Sequence, residues 1–315
     1  MKKILVTGST GQIGSELIVR LRELYGRDNV VGSARKGKDE DFAAGPFETM
    51  DVQDAGRLAE LVDKYQIDTI INNAAMLSAV GEQNPQALWA VNMGGLYNVL
   101  EVAREKNLKV FIPSSIAAFG PGTPLEQTPQ DTIQRPSTIY GVSKVAGELL
   151  CDYYFKRFGV DTRGVRYPGI ISYKTLPGGG TTDYAVHIYF DAIKQGRYTS
   201  FIDKGTFMDM MYMPDAVECV IDLMETDPSK LKHRNAFNVS AMSIDPEMLA
   251  AEIRQHIPEF VLDYEVDPVR QAIAESWPNS LDTSAAKEEW GFEPKFDLAA
   301  MTVDMIKGIK HESDL

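Results

Sequence analysis

Ile4-Leu5-Val6-Thr7-Gly8-Ser9-Thr10-Gly11-Gln12-Ile13-Gly14 decides the fold of this chain. A short apolar run of strand character leads into glycines at Gly8, Gly11 and Gly14. Ile13, Leu17, Ile18, Leu21 and Leu24 follow at helical spacing. Glycine in a strand-to-helix turn permits a tight bend and lets the backbone approach a pyrophosphate. The helix N-terminus adds free N–H groups and partial positive charge. A lone glycine pattern says little, but this one has a strand before it and an amphipathic helix after it. It therefore predicts a dinucleotide site, with Gln12 and Ile13 in the same turn.

Downstream, strand-like and helix-like segments alternate. Val30-Val31, Thr69-Ile70-Ile71, Val110-Phe111-Ile112 and Val160 to Val165 read as strands. Leu58, Leu61, Val62 and Tyr65 stripe one helix. Leu88, Val91, Leu96, Val99, Leu100 and Ala103 stripe a longer one. Repeated βαβ units with apolar strands give an α/β fold, a doubly wound parallel sheet of Rossmann type covered on both faces. Ligands of such sheets sit beyond the carboxyl ends of the strands. Residues 1–172 are expected to form this dinucleotide-binding core, with returns near 202–240. Residues 173–315 are expected to form mainly a small C-terminal α/β substrate lobe, with segments at Asp245 to Leu262 and Glu275 to Trp290.

Composition narrows the partners. A net charge of −13 argues against nucleic acid and anionic membranes. No apolar run approaches the ~20 residues that span a bilayer. The 2 cysteines, Cys151 and Cys219, suit a reducing cytoplasm. Together with 4 scattered histidines they offer no metal-ligand spacing, so no metal site is expected.

An acid is expected about twenty residues after the glycine turn, where it holds the adenosine ribose. That position falls on Ala34 in Val31-Gly32-Ser33-Ala34-Arg35-Lys36. The acid is missing, and Ser33, Arg35 and Lys36 could instead face a 2′-phosphate. NAD is the expected cofactor, with NADP left open. Asp51, with Val52 beside it, could accept from an adenine amino group or cap the helix that begins near Asp54.

Tyr140 and Lys144 stand four apart in Ser137-Thr138-Ile139-Tyr140-Gly141-Val142-Ser143-Lys144, which puts them on one helix face. A phenol is a weak acid, and a neighbouring cation favours its anion. Ser115, at a strand end, is placed to orient a reacting oxygen, with Ser114 as the competitor. Asn92 is expected to tie Lys144 to bulk water. Asp183 could meet a substrate ammonium or cap the helix beginning at Tyr184.

Together, Gly8/Gly11/Gly14, Asn73-Ala74-Ala75, Ser115, Tyr140-x-x-x-Lys144 and the ending Trp290-Gly291-Phe292-Glu293-Pro294 resemble the extended short-chain dehydrogenase/reductase family, in its nucleotide-sugar-epimerase-like branch. Within it, three further stretches resemble the short-chain-type L-threonine 3-dehydrogenases: Leu77 to Glu82, Pro113 to Gly120 and Arg166 to Ser172. So, most strongly, does Pro177-Gly178-Gly179-Gly180-Thr181-Thr182-Asp183-Tyr184-Ala185-Val186. The resemblance implies NAD-dependent oxidation of L-threonine to 2-amino-3-oxobutyrate. It makes Tyr140 the base, has Lys144 hold the nicotinamide ribose and has Ser115 hold the reacting oxygen. Asn73, Ala74, Ala75, Tyr167, Pro168, Gly169 and Ile170 would line the coenzyme. Ser78, Ser114, Gly179, Gly180, Thr181 and Thr182 would meet the amino acid, and Trp277 would help close the site. A homodimer is expected: the Leu88–Ala103 and Tyr140–Tyr153 helices could pair two chains, as in relatives, or equally be buried within one chain. A sugar-nucleotide epimerase or dehydratase that retains its NAD, and a non-catalytic NAD(P) sensor, are the competing readings.

Overall fold

The computed structural model describes residues 1–175 and 178–313. Its strands are β1 (Ile4–Thr7), β2 (Val30–Ala34), β3 (Phe47–Thr49), β4 (Thr69–Asn72), β5 (Lys109–Phe111), β6 (Ser114–Ser115) and β7 (Asp161–Arg163). Then come β8 (Val165–Tyr167), β9 (Gly169–Ile171), β10 (Arg197–Ser200), β11 (Met208–Tyr212), β12 (Phe237–Asn238), β13 (Met242–Ile244) and β14 (Val261–Tyr264). Six form one parallel sheet in the order β3-β2-β1-β4-β5-β7. The order reverses at β1, so β1 and β4 are neighbours and a crevice opens above their carboxyl ends.

Alternate residues of β1 bury on opposite faces. Ile4 and Val6 join a cluster with Leu17, Leu21, Met213, Val217, Phe237 and Trp290. Leu5 joins Val31, Val62, Val99, Leu100, Val110 and Cys151 on the other face. Each such side chain, removed from water, contributes about 1.5–3 kcal/mol before entropy is charged against it. A third cluster, built on Tyr184, Tyr189, Met208, Phe260, Met301 and Ile309, lies under the second half of the chain. Trp290, read from sequence with the lobe, packs against Phe237 in the cluster under the main sheet.

Several elements differ from the sequence reading. The second strand runs on to Ala34, carrying Ser33 and Ala34 to the crevice. The expected strand at 160–165 splits at Gly164. β7 stays in the main sheet, while β8 turns to pair with β6 and β12. The turn is held by Gly164 N–H donating to Arg234 O at 3.1 Å and Phe237 N–H donating to Gly164 O at 3.0 Å. The long apolar stripe is a rod of two helices, Pro85–Trp89 and Gly95–Lys106, joined by a wider π-type turn at Ala90–Gly94. Leu24 lies exposed, beyond the buried stripe of its helix. Asp54, not Asp51, caps the helix Ala55–Tyr65, accepting from Arg57 N–H at 2.9 Å. The long C-terminal helix Leu298–Ser313 had no counterpart in the sequence reading.

The return to the core is present: β11 pairs in parallel with β9. It places residues 208–212 beside the segment that follows Tyr167. Among the described residues no helix is long and apolar enough to cross a membrane.

Candidate active site

Two cavities meet along the crevice. The larger, about 550 Å³, runs over β1 and β2 and is lined by Gly8, Gly11, Ser33 to Lys36, Asp51, Val52 and Asn73 to Met76. The smaller, about 290 Å³, continues past Gly8 to Gly14. Its far walls carry Ser78, Ser114, Ser115, Tyr140, Lys144, Tyr167, Pro168, Ile170, Gly180 to Asp183 and Trp277. Gly8, Gly11, Asn73 and Ala75 line both.

The glycine turn is closed on itself. A Cβ on Gly14 would lie 2.2 Å from Gly8 O, so only hydrogen allows the helix to start this close to the strand. Gly8 itself has φ +63° and abuts the Asn73–Ala74 backbone. Asn73 buries both side-chain amide atoms without a partner, and Gln12 buries Nε2 likewise. Buried polar atoms are rarely left unpaired. Orphaned atoms that line a cavity next to a phosphate turn fit a polar ligand such as a dinucleotide.

Helix Ile139–Phe158 carries the Tyr/Lys pair. Its N-terminus is held twice. Thr138 Oγ1 accepts from Gly141 N–H at 3.0 Å, and Glu82 accepts from Ile139 N–H at 2.8 Å. A Cβ on Gly141 would lie 2.2 Å from Ala117 O, so glycine there lets the helix press on the turn that follows Ser115. That contact is what brings Ser115 and Tyr140 into one cavity. Lys144 Nζ donates to Pro113 O at 2.8 Å and lies 5.2 Å from the Tyr140 ring centroid.

The two serines point to different partners. Ser114 is buried, and its hydroxyl donates to Glu148 Oε1. Glu148 in turn holds the buried Arg166 at 2.9 Å. Ser115 Oγ accepts from Ala117 N–H at 3.2 Å, which leaves its own proton free for the cavity. Sequence reasoning missed the Glu148–Arg166 pair. Its signal was Glu148 standing one helical turn beyond Lys144.

Asn92 lines a small inner chamber of about 40 Å³ behind Lys144. Its amide grips Met76, accepting from N–H at 2.8 Å and donating to the carbonyl at 3.1 Å. Asp51 accepts from Gln53 N–H at 2.9 Å. Tyr167 donates to Ala216 O at 2.8 Å, so the cavity sees its ring. Asp183 stands at the N-cap of the helix Tyr184–Gln195, but its carboxylate makes no cap bond to that helix. It reaches back to the glycine loop, and burial raises its carboxyl pKa against the lowering effect of the Gly180 and Gly179 N–H groups. Gly179 is held in this way rather than lining the cavity. Leu176 and Pro177, at the head of the glycine-rich run, lie outside the described residues. Among the described residues no three His, Cys, Asp or Glu side chains are placed to hold a metal ion.

This geometry has close counterparts. The chain is 59% identical over 314 residues to an uncharacterized epimerase/dehydratase of Staphylococcus aureus, covering 99% of this chain and 98% of that one. It matches the crystal structure of an L-threonine dehydrogenase from Clostridium difficile at 57% identity and TM-score 0.97, over 99% and 98% of the two chains. A monomeric L-threonine 3-dehydrogenase from a metagenome matches at 45% identity and TM-score 0.94, over 98% and 99%. The sequence pattern of the NAD dependent epimerase/dehydratase family spans residues 4–240. With its glycine turn, Tyr/Lys pair and doubly wound sheet accounted for, the chain belongs to that family, the extended short-chain dehydrogenases.

Proposed function

We propose that this protein oxidises L-threonine at its hydroxyl carbon to 2-amino-3-oxobutyrate, passing a hydride to a nicotinamide dinucleotide. One observation carries the reading. Tyr140, Lys144 and Ser115 share a cavity with the glycine turn on one side and Ser78, Thr181 and Thr182 on the other. High identity to L-threonine dehydrogenases along the whole chain supports the choice of substrate.

Gly8, Gly11, Gln12, Ile13 and Gly14 would hold the pyrophosphate, and Asp51 and Val52 the adenine. Asn73, Ala74 and Ala75 would lie along the middle, and Tyr167, Pro168 and Ile170 around the nicotinamide. When bound, that ring supplies the hydride acceptor. The chain does the rest. Tyr140 removes the hydroxyl proton, the O–H pair becomes the second bond of the carbonyl, and the C–H pair leaves with its hydrogen as the hydride. Lys144 stabilises the phenolate by its charge. Ser115 donates to the reacting oxygen and fixes it near the Tyr140 hydroxyl. Ser114 is taken up by Glu148, which supports Ser115 as the orienting serine. Ser78, Thr181 and Thr182 offer hydroxyls to the zwitterion, and Trp277 walls off water.

The division into a dinucleotide core at 1–172, with returns near 202–240, and a substrate lobe within 173–315 belongs to the same proposal. So does a cytoplasmic setting, which the buried free thiols of Cys151 and Cys219 support. Pairing of two chains is supported by Trp89, Tyr97, Leu149 and Tyr153, which stand exposed on the two helices concerned.

The test is the absorbance of reduced nicotinamide on mixing the protein with L-threonine and NAD⁺ or NADP⁺ in turn. Turnover with neither, from protein that purifies with coenzyme already bound, would favour a sugar-nucleotide epimerase instead.

A further inference from the structure

The adenosine end of the larger cavity is built unlike a plain ribose site. A ribose held for NAD offers its 2′-hydroxyl to a carboxylate at the end of the second strand. Here β2 ends at Ala34, whose methyl offers no acceptor. The chain continues into Arg35 and Lys36, and all three residues line the cavity that Gly8 and Gly11 floor. Both cations are exposed, and neither side chain has an ion pair or hydrogen bond among the described residues.

Three described acids near them, Glu40, Asp41 and Asp51, have other partners. Glu40 pairs with Lys38 at 3.3 Å, and Asp41 accepts the Lys38 N–H at 2.7 Å. Asp51, across the cavity, accepts from Gln53. The Ser33 hydroxyl turns into the sheet, donating to Val6 O at 3.4 Å. In a chain with net charge −13, two adjacent cations stand at the lip of this one cavity.

We propose that Ala34, Arg35 and Lys36 form a 2′-phosphate site, so that the protein prefers NADP⁺ to NAD⁺. The proposal rests on the dinucleotide reading of the glycine turn and deepens it. A guanidinium matches a phosphate with two parallel N–H donors, and an ammonium adds a mobile point charge. Alanine contributes by omission, because an aspartate there would accept from a hydroxyl and repel a phosphate. Both cations are exposed to water, so the preference weakens as salt rises.

Binding without threonine tests this apart from catalysis. Calorimetry with adenosine 2′,5′-bisphosphate and adenosine 5′-monophosphate reads the adenosine end alone, and NADP⁺ and NAD⁺ read the whole site. The phosphorylated member of each pair is expected to bind about tenfold tighter or more at low salt, the scale of one added charge-assisted contact. The double variant Arg35→Ala with Lys36→Ala brings that ratio close to one while NAD⁺ affinity is kept. Ala34→Asp reverses the preference. Equal or weaker binding of NADP⁺, or a ratio indifferent to the double variant, overturns the proposal. If no nucleotide binds at all, the dinucleotide reading falls with it. If NADP⁺ binds tightly and threonine is not oxidised, the substrate reading fails and the phosphate site stands.

Discussion

Asp183 holds the Gly179 amide at 2.8 Å, and with it the shape of the loop that faces Tyr140. The same carboxylate takes the Gly180 amide, so it fixes two successive peptides from inside the cavity wall. It is buried, and it lines the cavity together with Gly180, Thr181 and Thr182. Asp183→Ala should lower kcat/KM for threonine by about tenfold to a hundredfold through KM, since the lost bonds are charge-assisted. Gly180→Ala should act in the same direction, because its Cβ would meet Asp183 Oδ1 at 2.8 Å. Steady-state kinetics on both variants, with coenzyme Kd measured separately, would show whether the loop serves substrate alone.

Tyr140→Phe removes the proposed proton acceptor and little else. Turnover should fall by about 10² to 10⁴, the usual scale of acid–base catalysis. Coenzyme affinity should stay within about twofold, because the proposed pyrophosphate contacts are made by the glycine turn and not by the phenol. Calorimetric titration of the inactive variant gives the second number, and a variant that kept most of its activity would remove Tyr140 from the chemistry.

Asp209 makes stability depend on pH. It sits buried on β11, accepting the Leu281 N–H at 2.5 Å, and burial raises its carboxyl pKa to about 7. Ser240 and the Leu281 amide oppose that shift, and Glu126 adds to it. An unfolded aspartate titrates near 3.9. Between those values the native state holds a proton that the unfolded chain has lost, so stability falls as pH rises from about 4 to about 7. The loss is levelled above that range, and its size is on the order of 4 kcal/mol. Asp209→Asn keeps an acceptor for Leu281 and removes the titration. Its Tm should exceed that of the parent above pH 7 and approach it near pH 4. Parallel melting curves in the two variants would flatten or preserve the slope and so decide the matter.

On the proposed mechanism Tyr140 and Lys144 handle the proton without a Lewis acid, so EDTA should leave threonine oxidation unchanged. Loss of activity restored by a divalent ion would contradict that assignment.

Much of the molecule was legible because its signals are local. Gly8, Gly11 and Gly14 announce a turn that leaves a side chain no room at Gly8 and Gly14, and Tyr140 and Lys144 share a face by helical arithmetic alone. The less legible parts depend on contacts distant in sequence. The break at Gly164 is set by Arg234 and Phe237, some seventy residues on, by the order of the chain. Asp183 could be read as a substrate contact or as the cap of the helix that follows, since caps are the common use of that residue before a helix. Its true partners lie behind it, in a loop whose path no propensity specifies. Asn92 was read as a link from Lys144 to water, and its grip on Met76 follows from where the helix rod passes the crevice.

The buried pairing of Arg166 with Glu148 ties β8 to the helix that bears Tyr140, and Ser114 and Gln134 complete the carboxylate's partners. Removing either charge alone strands the other in a dry interior, at a cost of about 3–5 kcal/mol. Natural drift at positions 148 and 166 is therefore expected to be concerted: descendants of this chain should keep both residues or exchange both together, and laboratory libraries that randomise one of them singly should return few survivors.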